Sequence, residues 1–207
     1  MARPYLIEGL KFDLRIYVLV FGCDPLRVYM FKEGLTRFAT EPYQSPVQSN
    51  LKNLFMHLTN YAINKNSENF IFNEDASDDD IGHKRSLSFT WRYLREQGHD
   101  VDKLIKDIHG IIIKTLCSVQ PMLSHIYRSC QPEDHGNSMA FEILGFDIMI
   151  DRHVRPFLIE VNHSPSFTAD TPLDKKIKKT LVSDTIRLCN FSVKAKTRWK
   201  NKHKLEL

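Results

Sequence analysis

The stretch from Phe141 to Val161 (FEILGFDIMIDRHVRPFLIEV) is the most apolar in the chain and reads as a single β-hairpin turning at Arg152 and His153. Polar groups inside such a stretch need partners or a ligand, and there are three: Asp147, Glu160 and, one residue beyond, Asn162. Strand side chains alternate faces, so Glu160 and Asn162 point the same way. A two-residue turn pairs Asp151 with Val154 and Gly145 with Glu160, which sets Asp147 diagonally across from Glu160 on that face. Gly145 leaves the space between the strands unfilled. Three oxygen-bearing groups around an open spot suit a hard divalent cation such as Mg²⁺. The pattern equally fits an ordinary hairpin whose polar face meets water. A one-residue slip would send Asp147 and Glu160 to opposite faces.

A second strand, Phe12 to Val20 (FDLRIYVLV), alternates strictly. Phe12, Leu14, Ile16, Val18 and Val20 form an apolar face, while Lys11, Asp13 and Arg15 place alternating charges on the other. Those charges are costly unless paired or liganded. A turn at Gly22–Pro25 leads to a strand at Arg27–Phe31, and a second turn, Glu33 to Arg37, ends on a lone arginine. The segment His57–Asn66 (HLTNYAINKN) reads as loop with short helical pieces. Helices are expected at Ser86–Gln97, stopped by Gly98, and at Val101 to about Val119, ended or kinked by Pro121. Two more are expected at Pro121–Cys130 and at Leu173–Asn190, the last with Leu181, Ile186 and Leu188 on its apolar side. Hairpins followed by helices indicate an α+β fold with a mostly antiparallel sheet carrying the polar site.

Length and composition add limits. A chain of 207 residues, 42% apolar and 26% charged, can bury one sizeable core. No apolar run approaches a membrane span, and the N-terminus lacks the layout of a secretory signal. The four cysteines, Cys23, Cys117, Cys130 and Cys189, lack CxxC spacing and fit free thiols in a reducing compartment, so an intracellular soluble protein is expected. The acidic tract Glu74–Asp80 has no hydrophobic period and reads as a surface loop without EF-hand spacing. Net charge is +4, and basic residues crowd the end, from Lys194 to Lys204 around Trp199. That tail suits an acidic partner, nucleic acid or a membrane face, or is simply a solvated terminus.

Metal-ligand types beside cations, with no obvious nucleophile, describe phosphoryl-transfer chemistry. GxSxG, HExxH and P-loop motifs are absent. The strings KFDLRIYVLV, EGLTRFATEPY, HLTNYAINK, FEILGFDIMID and FLIEVNHSPSF together resemble the catalytic core of the tubulin tyrosine ligase-like family, closest to its polyglutamylase branch. The likeness runs from about Tyr5 to Asn190, with several separated motifs in the same order. It implies the C-terminal part of an ATP-grasp ligase core over residues 1–190, followed by a basic tail, 191–207. It implies ATP and Mg²⁺ as cofactors, with free glutamate and tubulin or microtubules as partners, and neither nucleic acid nor membrane. The implied activity is tubulin polyglutamylation: a tail glutamate is activated as an acyl phosphate and attacked by the amine of free glutamate. The implied location is the cytoplasm and its microtubule cytoskeleton, with cilium or basal body as an alternative within it.

Laid on this sequence, the resemblance gives Asp147, Glu160 and Asn162 to Mg²⁺, with Lys11 and Asp13 facing the nucleotide. Arg15 stabilises the transferring phosphate, and Arg37 holds substrate carboxylates. Thr59 and Asn60 line the nucleotide or amino-acid site, and His163, a substrate residue, sits where branches of the family differ and bears on whether a branch is started or extended. The family core begins well upstream of a segment such as PYLIEGLKFDLR, which here follows Met1 almost directly. The expectation is a fragment lacking the N-terminal lobe and hence half of the ATP clamp. Two alternatives accompany it: a non-catalytic microtubule-binding fragment, and a related ligase adding glycine or tyrosine.

Overall fold

A computed structural model describes residues 3–75, 77–134, 140–190 and 197. Six strands form one antiparallel sheet. They are β1 (Leu6–Ile7), β2 (Leu10–Cys23), β3 (Leu26–Phe38), β4 (Lys84–Ser86), β5 (Phe141–Ile150) and β6 (Pro156–Asn162). Their order is β4-β3-β2-β5-β6, with β1 pairing the start of β2. Two single-turn helices, α1 (Leu54–His57) and α2 (Tyr61–Asn64), precede β4. The longer helices are α3 (Leu87–Glu96), α4 (Val101–Cys130) and α5 (Pro172–Cys189). The architecture is α+β, as expected, with helices on both faces of an open sheet. None of the described helices is long and apolar enough to cross a membrane.

The alternation of β2 divides the molecule into two layers of packing. Phe12, Leu14, Ile16 and Val18 are all essentially inaccessible and meet Leu87 and Leu94 of α3 and Leu104, Ile108 and Ile112 of α4. On the other face, Tyr17 and Leu35 pack against Leu173, Ile177 and Leu181 of α5. Because α5 covers only the Tyr17 end, the Asp13 and Arg15 end of that face stays open. The strip of charged side chains lies there.

Several local expectations need correction. Glu33–Arg37 is not a turn; β3 runs unbroken to Phe38. Its register against β2 jumps from Ile16↔Gly34 to Val18↔Met30, a bulge that uses Glu33 as a cap. The Glu33 carboxylate accepts from Gly34 N at 3.0 Å and from Ser88 N at 3.1 Å, so the bulge also satisfies the first turn of α3. A Cβ on Gly34 would lie 2.4 Å from the Arg15 carbonyl oxygen. Gly34→Ala must therefore force β2 and β3 away from each other, and it should destabilise the protein by about 2–3 kcal/mol. A denaturant midpoint measured for the variant checks this.

Pro121 does not end its helix: α4 passes through it to Cys130, merging two expected helices. On α5 the buried side is Leu173, Ile177, Leu181 and Cys189, whereas Ile186 and Leu188 are about half exposed. The hairpin turn is longer than two residues. The Asp151 carboxylate accepts from the backbone of His153 at 2.9 Å and of Arg155 at 3.0 Å, and Val154 takes φ +59°. This side-chain cap holds three residues in the turn. A second irregularity separates Asp147↔Glu160 from Ile148↔Leu158. Each offset is one residue, so together they restore the parity of the strand. Glu160 stands directly opposite Asp147, and Gly145 is opposite Asn162 instead of Glu160. The basic tail 191–207 falls outside the described residues, save Thr197.

Candidate active site

The charged positions form rows across one face of the sheet. One row runs Lys84–Arg37–Asp13 and the next runs Leu35–Arg15–Asp147–Glu160. Asp13 is buried and takes a fork from Arg37, with Nε at 2.8 Å and Nη2 at 2.5 Å, and accepts from Thr59 Oγ1 at 2.9 Å. Asp147 is equally buried. It takes a fork from Arg15, with Nε at 2.5 Å and Nη2 at 2.9 Å, and a further bond from Arg37 Nη2 at 2.8 Å. Arg37 thus bridges both carboxylates. Its guanidinium pKa is raised: burial alone would lower it, but Asp13 and then Asp147 outweigh burial. The Asp147 carboxyl is held below the ordinary carboxylate value. Burial pushes it up, and the Arg15 hydrogen bonds with the charges of Arg37 and Arg15 overcome that.

Asn162 joins the two acids of the hairpin. Its Nδ2 lies 3.2 Å from Glu160 Oε1, 3.4 Å from Asp147 Oδ2 and 3.4 Å from the Gly145 carbonyl. Rotating the amide by half a turn would present its oxygen to the same spot. The donor set is therefore two carboxylates and an amide, all hard oxygens, on paired positions of neighbouring strands, which fits Mg²⁺. Among the described residues no three Asp, Glu, His or Cys side chains gather as a metal site. A cation held here would take its remaining ligands from water or substrate oxygens, the usual habit of Mg²⁺.

An open cleft of about 800 Å³ adjoins this strip. Lys11, Asp13, Arg37, Thr59, Asn60, Asp147 and Glu160 line it. Arg15 and Asn162 reach the cleft through Asp147, while His163 is exposed, contacts Ser164 and is not among the residues that line the cleft. Lys11 Nζ donates to the His57 carbonyl at 2.6 Å, which ties β2 to the segment before Thr59. Burial lowers the Lys11 pKa, with Asp13 partly offsetting it. The far end of the cleft combines an apolar floor, Met149 paired with Phe157, with the basic side chains of Arg3, Arg152 and Arg155.

Sequence reading missed some of these residues. Met149 shares the strand face of Asp147 two residues on, a signal that was present. Lys84, Asp174 and Lys178 carried none. Lys84 Nζ meets Asp174 Oδ2 at 2.6 Å and sits 3.4 Å over the Tyr61 ring, both charges being buried. Lys178 leans on Asp174 Oδ1 at 3.6 Å and donates to the Thr168 carbonyl. Tyr61 in turn donates to Asp170. This cluster anchors two segments beside the strip: the one bearing Thr59 and Asn60, and the one following Asn162.

An antiparallel sheet with helices on both faces, bearing paired acids and arginines above a cleft, is consistent with a portion of an ATP-grasp ligase core. A profile of the tubulin-tyrosine ligase family matches residues 1–199, and the chain belongs to that family. It is 56% identical over 204 residues to the "Probable beta-tubulin polyglutamylase" of Tetrahymena thermophila, covering 99% of this chain and 17% of that protein. It is 52% identical over 191 residues to tubulin polyglutamylase ttll6 of Danio rerio, covering 92% and 24%. It is 42% identical over 208 residues to tubulin polyglutamylase TTLL7 of Xenopus tropicalis, covering 100% and 23%. The chain spans about a fifth of the length of these relatives.

Proposed function

We propose that the chain belongs to an ATP-dependent tubulin polyglutamylase that joins free glutamate to glutamate side chains of tubulin tails at the microtubule cytoskeleton. The observation that carries this reading is the meeting of Asp147, Glu160 and Asn162 beside the Arg15 and Arg37 guanidinium groups. The names of the relatives supply the substrate. When bound, Mg-ATP supplies the phosphoryl group that activates a carboxylate.

The residues divide the remaining work. Asp147, Glu160 and Asn162 hold the cation. The Met149–Phe157 floor suits an apolar ring, and Lys11 beside it suits an anionic or ring-nitrogen partner. Arg15 and Arg37 face developing negative charge on phosphate and carboxylate oxygens, and each such contact is typically worth roughly 10²-fold in rate. Thr59 acts one step back: it holds Asp13, and Asp13 aligns Arg37. The basic stretch Lys194–Lys204 suits the acidic tubulin tail, with attraction that weakens as salt rises.

Glu160→Gln is the direct test, since Glu160 is exposed and its replacement should leave the fold intact. Calorimetric ATP titration with and without Mg²⁺ should show Mg²⁺-dependent binding by the wild type, reduced at least about tenfold in the variant. Unchanged binding removes Glu160 from the cation site. Labelled glutamate, glycine and tyrosine offered with microtubules identify the amino acid. Incorporation of glycine or tyrosine in preference to glutamate overturns the polyglutamylase reading.

A further inference from the structure

Asp147 has two claims on it. Arg15 occupies both of its oxygens with a two-pronged fork, and Arg37 adds a third hydrogen bond at Oδ2. A carboxylate offers about four lone-pair sites, so most of its capacity is taken. The remaining site faces Asn162 Nδ2 at 3.4 Å, so a divalent cation ligated by Asp147 competes with the guanidinium groups for lone pairs, and like charges would crowd one carboxylate.

The two arginines are not equally free to leave. Arg37 keeps a complete fork on Asp13 whatever happens at Asp147. Among the described residues Asp147 is the only carboxylate that Arg15 holds. The stem of Arg15 is also confined. A Cβ on Gly145 would lie 3.1 Å from Arg15 Cδ and 3.1 Å from Pro165 Cβ, so the side chain of Arg15 and the buried Pro165 together close over the glycine. A guanidinium released from Asp147 therefore stays above the strip, beside Glu160 and Asn162, with its donors unfilled.

Resting on the cation-site reading given above, we infer that Arg15 and a divalent cation are alternative partners of Asp147. Entry of the cation frees Arg15 to receive a phosphate or carboxylate oxygen. Cation loading then promotes anion capture, and by linkage the anion strengthens the hold on the cation. Arg15 is a brake on the empty site and an anion receptor in the loaded one.

Mn²⁺ binding to the 207-residue chain without nucleotide, followed by electron paramagnetic resonance, tests this without any catalytic readout. Arg15→Gln removes the competitor and is expected to tighten Mn²⁺ binding about tenfold, the order of a charge-assisted hydrogen-bond pair forgone. Arg15→Lys keeps the charge but loses the fork, so roughly a threefold gain is expected, which guards against a fold defect in the first variant. Adding Glu160→Gln to Arg15→Gln should abolish the gain. Unchanged or weaker Mn²⁺ binding in both Arg15 variants, with wild-type binding still sensitive to Glu160→Gln, overturns the competition and leaves the cation site standing. Absence of Glu160-dependent Mn²⁺ binding in the wild type and both Arg15 variants removes the cation site, and the competition with it.

Discussion

Asp147→Asn is expected to lose Mg²⁺-dependent ATP binding and to lower stability together, by about 3 kcal/mol. The carboxylate is the shared anion of Arg15 and Arg37, and an amide can accept from them without neutralising either. Arg37 retains Asp13; Arg15 is left as an uncompensated charge with a side-chain exposure of only 13%. For a domain of this size the loss corresponds to a melting temperature lower by roughly 6–12 °C. The deficit also carries a pH signature. A carboxyl with a depressed folded pKa contributes stability that is complete above its unfolded value, about pH 4, and is lost as pH falls through the folded one. The gap between wild type and variant should therefore be full at neutral pH and shrink in acid below about pH 4. Thermal melts from neutral to acidic pH read this directly, and a gap that is constant with pH excludes the Asp147 charge as its source.

Lys84→Met should cost more stability, about 3–5 kcal/mol, although Lys84 touches no predicted ligand. Asp174 is fully buried, and the variant strips it of its close cation, leaving Lys178 at 3.6 Å. Asp174→Leu combined with Lys84→Met should recover some of the loss, because replacing both members of a buried pair by apolar groups is far better tolerated than removing one. Recovery stays incomplete since Lys178 loses its buried anion and keeps the Thr168 carbonyl and the more distant Asp170 charge. Denaturant midpoints of the two single variants and the double variant give the coupling; a strictly additive result would mean that the pair contributes nothing of its own. Hydrogen exchange should rise in residues 57–64 and 163–171, the two segments the cluster pins.

Much of the site was visible along the chain because strand alternation is local. The period of two in Phe12–Val20 placed Asp13 and Arg15 on one face, and it did so without knowledge of any neighbour. The same rule put Glu160 and Asn162 together. Register was different. A two-residue turn at Arg152–His153 was a sound expectation from loop chemistry, but the Asp151 carboxylate caps a longer turn, and an irregularity at Ile159 adds a second offset. Either offset alone would have separated Asp147 from Glu160; the pair of them brings the two into direct opposition. Glu33–Arg37 was misread for a related reason. Gly34 looked like a turn residue, whereas it serves a bulge where another backbone passes too close for a side chain.

Within this chain, residue order alone set which side chains share a face of each strand, because that depends only on the covalent pleat. It also set the helical stripe of α4 through Leu104, Ile108, Ile112 and Leu116. Partners were decided in three dimensions: Arg37 between Asp13 and Asp147, Arg15 on Asp147, and Lys84 on Asp174, which lies 90 positions away along the chain. Ion pairs act through space and carry no period, so nothing in the order of residues announces them. Their geometry follows from strand register, and caps and bulges settle register only when the sheet is assembled.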